Sequence, residues 1–228
     1  VQLPNDVIVR RTLPTFVPNG ANIALSLPRN PSMHGTYFSE LLSYQTAGDN
    51  DVGFMMVKQR MPSSFDLNVQ TFDGNGSSAV TVRLTSLEWP ACMPASVSIA
   101  PLSTRNMYTP FAHNIVDLPI GFPTAQYFVV HEILDYHPAT DDDMSWTLYF
   151  EPAVRSVNFQ LAASNAQSGI DAFLASQAQI IQFPMALGRP IADAGPAAVT
   201  IDCGCESNAL VHLSGAQSQA NSQPAVSI

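Results

Sequence analysis

The stretch Ala125-Gln-Tyr-Phe-Val-Val-His131-Glu-Ile-Leu-Asp135-Tyr-His137-Pro-Ala-Thr-Asp141-Asp-Asp143-Met-Ser-Trp146-Thr-Leu-Tyr-Phe-Glu151 decides the fold class. In its second half Met144, Trp146, Leu148 and Phe150 alternate with Ser145, Thr147, Tyr149 and Glu151, the two-residue period of a strand with one buried face. The first half is more uniformly apolar. Its β-branched and aromatic content, with Pro138 as a stop, favours a strand over the helical stripe that Phe128, Val129, Val130, Ile133 and Leu134 would also fit. Joined by a turn at the acidic run, the two halves read as one long β-hairpin.

The polar residues of this stretch raise two metal chemistries. His131-Glu132 followed by Asp135 approaches the helical zinc motif His-Glu-x-x-His, but aspartate stands where the second histidine belongs and His137 lies off that helical face. On a strand, Asp135 and His137 share a face and would approach Asp141, Asp142 and Asp143 across the turn. That carboxylate set suits a hard cation such as calcium, which takes roughly six to eight oxygen ligands. A solvated acidic turn is the simpler reading of three adjacent acids.

Outward from this core, Phe65, Leu67 and Val69 alternate into Asp73-Gly-Asn-Gly-Ser-Ser78, and Val80, Val82 and Leu84 alternate out, which predicts a second hairpin. Its glycine-rich turn is followed by a strand pattern rather than a lysine-bearing helix, so it is no phosphate cradle. A strand is expected from Val52 to Met61, another around Val157, Phe159 and Leu161, and two more over Ala198 to Cys203 and Ala209 to Leu213. Helical spacing of Tyr37, Leu41, Leu42 and Tyr44 predicts a short helix over Ser32 to Tyr44. A second is predicted from Ser168 to Pro184, opened by Ser168-Gly-Ile-Asp171 and carrying Ile170, Phe173, Leu174 and Ile181.

These elements predict a mainly β chain, a two-sheet β-sandwich or jelly-roll-like domain with one or two short helices. Residues 1–31, proline-rich, are expected to form an extended N-terminal arm, either along a neighbour or along its own domain. Residues 32–214 would form the sandwich and 215–228 a polar Gln/Ser/Ala tail. Between Ser86 and Pro123, prolines are interspersed with Trp89, Tyr108, Phe111 and Phe122, a composition that suits binding loops or intersubunit contacts.

Composition narrows the function. Charged residues make up 12% of the 228 residues, about half the usual share, which suits a surface buried in an assembly. The net charge is −9, Lys58 is the only lysine, and no basic patch exists to neutralise phosphates, so direct nucleic-acid binding is disfavoured. No apolar run is long enough to span a bilayer. Cys92, Cys203 and Cys205 are expected to be mostly free, buried thiols, with a link from Cys92 to one of the others as the alternative.

No nucleophile elbow, dinucleotide fingerprint or phosphate loop is present, although Glu88, Glu132 and Glu151 could meet as glycosidase carboxylates. The expectation is therefore a non-enzymatic structural subunit of a symmetric assembly, a viral or phage capsid or virion-surface protein whose partners are copies of itself or other shell proteins. The alternatives are a carbohydrate- or peptide-binding β module using Trp89, Tyr108, Phe111 and Phe122, and a hydrolase centred on His131, Glu132 and Asp135. No resident cofactor is expected apart from the calcium considered above.

Overall fold

The computed structural model describes residues 3–4, 6–47, 52–72, 74–105, 112–120, 126–138, 144–165, 173–183, 192–193 and 198–199. Every regular element among them is a β-strand. In chain order these are β1 (Ile8–Arg11), β2 (Thr15–Pro18), β3 (Asn22–Pro28), β4 (Met33–Gln45), β5 (Gly53–Arg60), β6 (Ser64–Phe72), β7 (Ala79–Pro90) and β8 (Ser96–Arg105). They continue as β9 (Ala112–Pro119), β10 (Gln126–His137), β11 (Met144–Pro152), β12 (Ser156–Asn165), β13 (Phe173–Phe183), β14 (Ala192–Asp193) and β15 (Ala198–Val199).

All pairings are antiparallel. A central sheet runs β3-β6-β5-β10-β13-β8. In a second sheet, β7 pairs with β4 on one side and with β1 and β2, end to end, on the other. A small third sheet runs β11-β12-β9, and β14 pairs with β15 apart from these. The β-sandwich expectation holds, with the third sheet added as a further layer.

The layers follow from the pleat. On one face of β10 and β13, Phe128, Val130, Ile181 and Phe183 pack against Leu87 and Trp89 of β7. Residues of opposite parity, Val129, Ile133, Leu174, Ala178 and Ile180, join a cluster containing Val157, Phe159 and Leu161 of β12. The middle of the central sheet is thus covered on both sides. One aromatic cluster ties the three layers together: Tyr44 of β4, Phe54 and Tyr136 of the central sheet, and Trp146 of β11, whose ring lies 5.2 Å from Tyr44 and 4.8 Å from Tyr136. Edge-to-face and tilted contacts at such spacings add to the apolar burial itself.

Both predicted hairpins are corrected. β10 pairs with β13 and β5 while β11 pairs with β12, so the acidic run connects strands of different sheets. Likewise β6 lies in the central sheet and β7 in the second, with Leu67 and Val69 facing Val80, Val82 and Leu84 through the core. Alternation reports which face is buried, and strands on opposite walls of a core share that signature with strands side by side. Adjacent pairing in sequence occurs instead at β5-β6, β11-β12 and β14-β15.

Both predicted helices are corrected as well: residues 33–45 form β4 and residues 173–183 form β13. In β4 a bulge between Leu41 and Ser43 shifts the pleat by one residue, so that Tyr37, Leu41 and Tyr44 all reach the core. Their spacing of four and three imitates a helix. Because β13 is buried on both faces from Ala178 onward, it loses the polar alternation that marks a half-buried strand.

The proline-rich N-terminal segment is laid on its own chain. β1 and β2 pair with β7, β3 pairs with β6, and Arg10 forms an ion pair with the fully buried Glu88. The expected irregular region after Ser86 contains the end of β7 and two further strands, β8 and β9. Cys92 is exposed and disulfide-bonded, which corrects the expectation of a free, buried thiol there; Cys203 and Cys205 lie outside the described residues.

Candidate functional site

The most connected polar site lies where β5 and β10 part. These strands pair only at Asp135 with Met55 and Tyr136 with Phe54, although β5 continues to Arg60 and β10 begins at Gln126. A bulge between Ile133 and Asp135 re-aims β10 at this point. The ladder opens there into a groove of about 620 Å³, whose lining includes Gly35, Tyr37, Met56, Lys58, Leu134 and Gln177. Met55 and Val57, from the other face of β5, line it as well, as expected where a strand separates from its neighbour.

Lys58 spans the opening. Its ammonium donates to a carboxylate oxygen of Glu132 and, at 2.9 Å, to Oε1 of Gln177, and it lies 4.9 Å from the centre of the Tyr37 ring. The second oxygen of Glu132 accepts from the Ser39 amide at 2.6 Å and from the Ser39 hydroxyl at 2.7 Å. Glu132 is buried, and these donors compensate the loss of water around its charge. Burial, followed by the negative charge of Glu132, pushes the Tyr37 hydroxyl up to about 12. It stays protonated throughout the neutral range. The cluster is a charge-compensated pin between sheets, and its ammonium is fully engaged.

Sequence reading named Glu132 but missed its partners. The available signal was the single lysine of the chain, set in the otherwise apolar run Gly53-Phe-Met-Met-Val-Lys58.

The residues of the hydrolase reading separate. Neighbours on a strand, His131 and Glu132 point to opposite faces: the His131 ring meets Ser176 at 2.9 Å and the Phe159 ring at 5.5 Å, on the β12 side. Burial pushes His131 down to about 4, against a small opposing effect of the Tyr149 backbone. Glu88, Glu132 and Glu151 are divided among three sheets, on β7, β10 and β11. Trp89 is 4% exposed and packs edge-on against Phe183, so it offers no platform; Tyr108, Phe111 and Phe122 lie outside the described residues.

Of the candidate calcium ligands, Asp135 and His137 are adjacent, with His137 Nε2 2.9 Å from Asp135 Oδ1. Burial raises the Asp135 carboxyl despite the opposing pull of His137. Asp141, Asp142 and Asp143 lie outside the described residues, among which no group of three potential ligands gathers. No helix among the described residues is long and apolar enough to cross a membrane. No protein-family model matches this chain, and neither a curated protein nor a solved structure is similar enough to count as a match. The described residues define a mainly β protein of packed antiparallel sheets.

Proposed function

We propose that the chain is a non-enzymatic structural subunit of a symmetric assembly, a capsid or virion-surface protein that packs against copies of itself or other shell proteins. The outer edge of the β7 sheet carries this reading. β1 and β2 lie end to end along β7, and Ile8, Val9, Leu13 and Phe16 on this edge are 39, 39, 83 and 55% exposed. An edge strand with free backbone groups and exposed apolar side chains is a template for pairing with another chain, and monomers normally blunt such edges with charge. Of the two arginines on β1, Glu88 draws the Arg10 guanidinium inward, which leaves Arg11 as the exposed charge of that strand.

The low charge of the chain supports the same reading, since the cores of interfaces are depleted in charged residues. The step from assembly to virion rests on a fold-level association between β-sandwiches and shells. Light scattering on the purified protein tests the assembly: a large oligomer of defined mass is expected, and a monomer at every concentration would overturn it.

A further inference from the structure

Two Asn-Gly pairs stand in turns of this chain, Asn19-Gly20 between β2 and β3 and Asn75-Gly76 between β6 and β7. Such a pair carries a latent reaction. Glycine has no Cβ to keep its backbone nitrogen away from the preceding side chain, so that nitrogen can attack the asparagine Cγ. The new N–Cγ bond forms as the Cγ–Nδ2 bond breaks, ammonia leaves with the proton of the glycine nitrogen, and a five-membered succinimide remains. Water then opens the ring at either carbonyl, giving aspartate or isoaspartate. The sequence offers both pairs alike, but the fold holds them differently.

Asn19 is locked. Its Nδ2 donates to the Gly74 carbonyl and its Oδ1 accepts from the Gly74 amide at 3.2 Å, so one residue holds both ends of the side-chain amide. Gly20 follows at a φ of 74°, in a turn closed by the Ala21 amide on the Pro18 carbonyl at 3.1 Å. Thr71 clamps the same turn: its hydroxyl donates to the Pro18 carbonyl and accepts from the Ala21 amide, and its own amide donates to the Ala21 carbonyl at 3.0 Å. Attack on Asn19 would have to break both bonds to Gly74 while this turn deforms.

Asn75 is exposed, and among the described residues its side chain makes one bond, from Nδ2 to the Ala47 carbonyl. Its turn is closed by the Ser78 amide on the Asn75 carbonyl at 2.8 Å, a bond that leaves the Gly76 nitrogen uninvolved. Apart from the chain neighbours, no described atom lies within 4 Å of the place a Gly76 Cβ would occupy, so the backbone there has room to move.

We propose that Asn75 is a modification site at which the folded chain forms succinimide and then isoaspartate, while Asn19 is protected by its pairing with Gly74. The product carboxylate has no hydrogen to give to the Ala47 carbonyl, so the tie between this turn and the chain just past β4 is lost on conversion. The inference stands independently of the assembly reading.

The test incubates the folded full chain at mildly alkaline pH in heavy-oxygen water, followed by digestion in ordinary water and peptide mass mapping, so that only residues converted during the incubation carry the label. Asn75 is expected to convert at least about tenfold faster than Asn19, with isoaspartate exceeding aspartate, because Asn19 reacts only through local opening of its turn. Equal rates, faster conversion of Asn19, no conversion of Asn75, or aspartate without isoaspartate would overturn it. The same incubation in urea removes the fold, and the two sites should then react within about threefold of each other. Persistence of the full difference in urea would assign it to the sequence and sink the structural account. Gly76→Ala, for which there is open space, should keep the parent unfolding midpoint and slow conversion of Asn75 at least about tenfold. An unchanged rate in that variant would count against attack by the nitrogen of residue 76.

Discussion

Lys58 reaches across the opening between β5 and β10 to the carboxylate of Glu132, and that carboxylate holds the otherwise unpaired Ser39 amide on the edge of β4. One ion pair therefore connects two strands of the central sheet and the sheet above it. Replacing Lys58 with methionine would leave the Glu132 charge buried without its counter-ion, at an expected cost of about 3 kcal/mol in urea unfolding. Adding Glu132→Gln should recover part of this loss, because glutamine is neutral and keeps an oxygen for Ser39. A loss below about 1 kcal/mol for the single variant would show that the pair contributes little.

His131 makes stability depend on pH in a defined direction. Its ring is held down to about 4 by burial beside Phe159 and Ser176, while in the unfolded chain it titrates near 6.5. Between these values the unfolded state binds the extra proton, so this contribution is complete above about 6.5 and is lost as the pH falls toward 4. Partial solvent contact limits the effect to on the order of 1–2 kcal/mol. Urea midpoints measured across this range should fall toward acid in the parent and fall less in His131→Phe. Parallel curves would count against the assignment.

Trp146 is expected to be the most costly single truncation on the third sheet. Its indole touches Tyr44 and Tyr136, which belong to the other two layers, and Trp146→Ala would remove the ring where all three meet. Loss of about 3 kcal/mol is expected, within the range for large aromatic truncations. Thermal unfolding followed by circular dichroism would measure it, and an unchanged midpoint would mean that β11 does not anchor the layers through this residue.

How far the sequence reaches into this fold is clearest where it misled. Phe65, Leu67 and Val69, and later Val80, Val82 and Leu84, announce strands and their buried faces correctly, because period two is a local property. Their partners are not local: β6 faces β7 across the core and pairs with β5 and β3. The bulge that brings Tyr37, Leu41 and Tyr44 to one side depends on pairing with β7, so their spacing alone points to a helix. Glu132 stood out only as part of His131-Glu132 followed by Asp135. That it would meet Lys58 and Ser39 follows only from folding residues 74 and 93 apart in sequence onto one another.

The exposed edge formed by β1 and β2 leads to the last prediction. Phe16 is 55% exposed beside Thr81, and Leu13 is 83% exposed between the two strands, so charge at either position disturbs little within the subunit. Surface substitutions of this kind usually change stability by no more than about 0.5 kcal/mol. In an assembly built through this edge, the same charge would be buried at a contact or would repel an incoming strand. Phe16→Lys and Leu13→Glu should therefore keep the parent unfolding midpoint but lower the mass seen by light scattering to that of a monomer or small oligomer. If both variants assemble as the parent does, the edge is not the contact, and the exposed Ile115 of β9 and Phe150 of β11 become the next positions to charge.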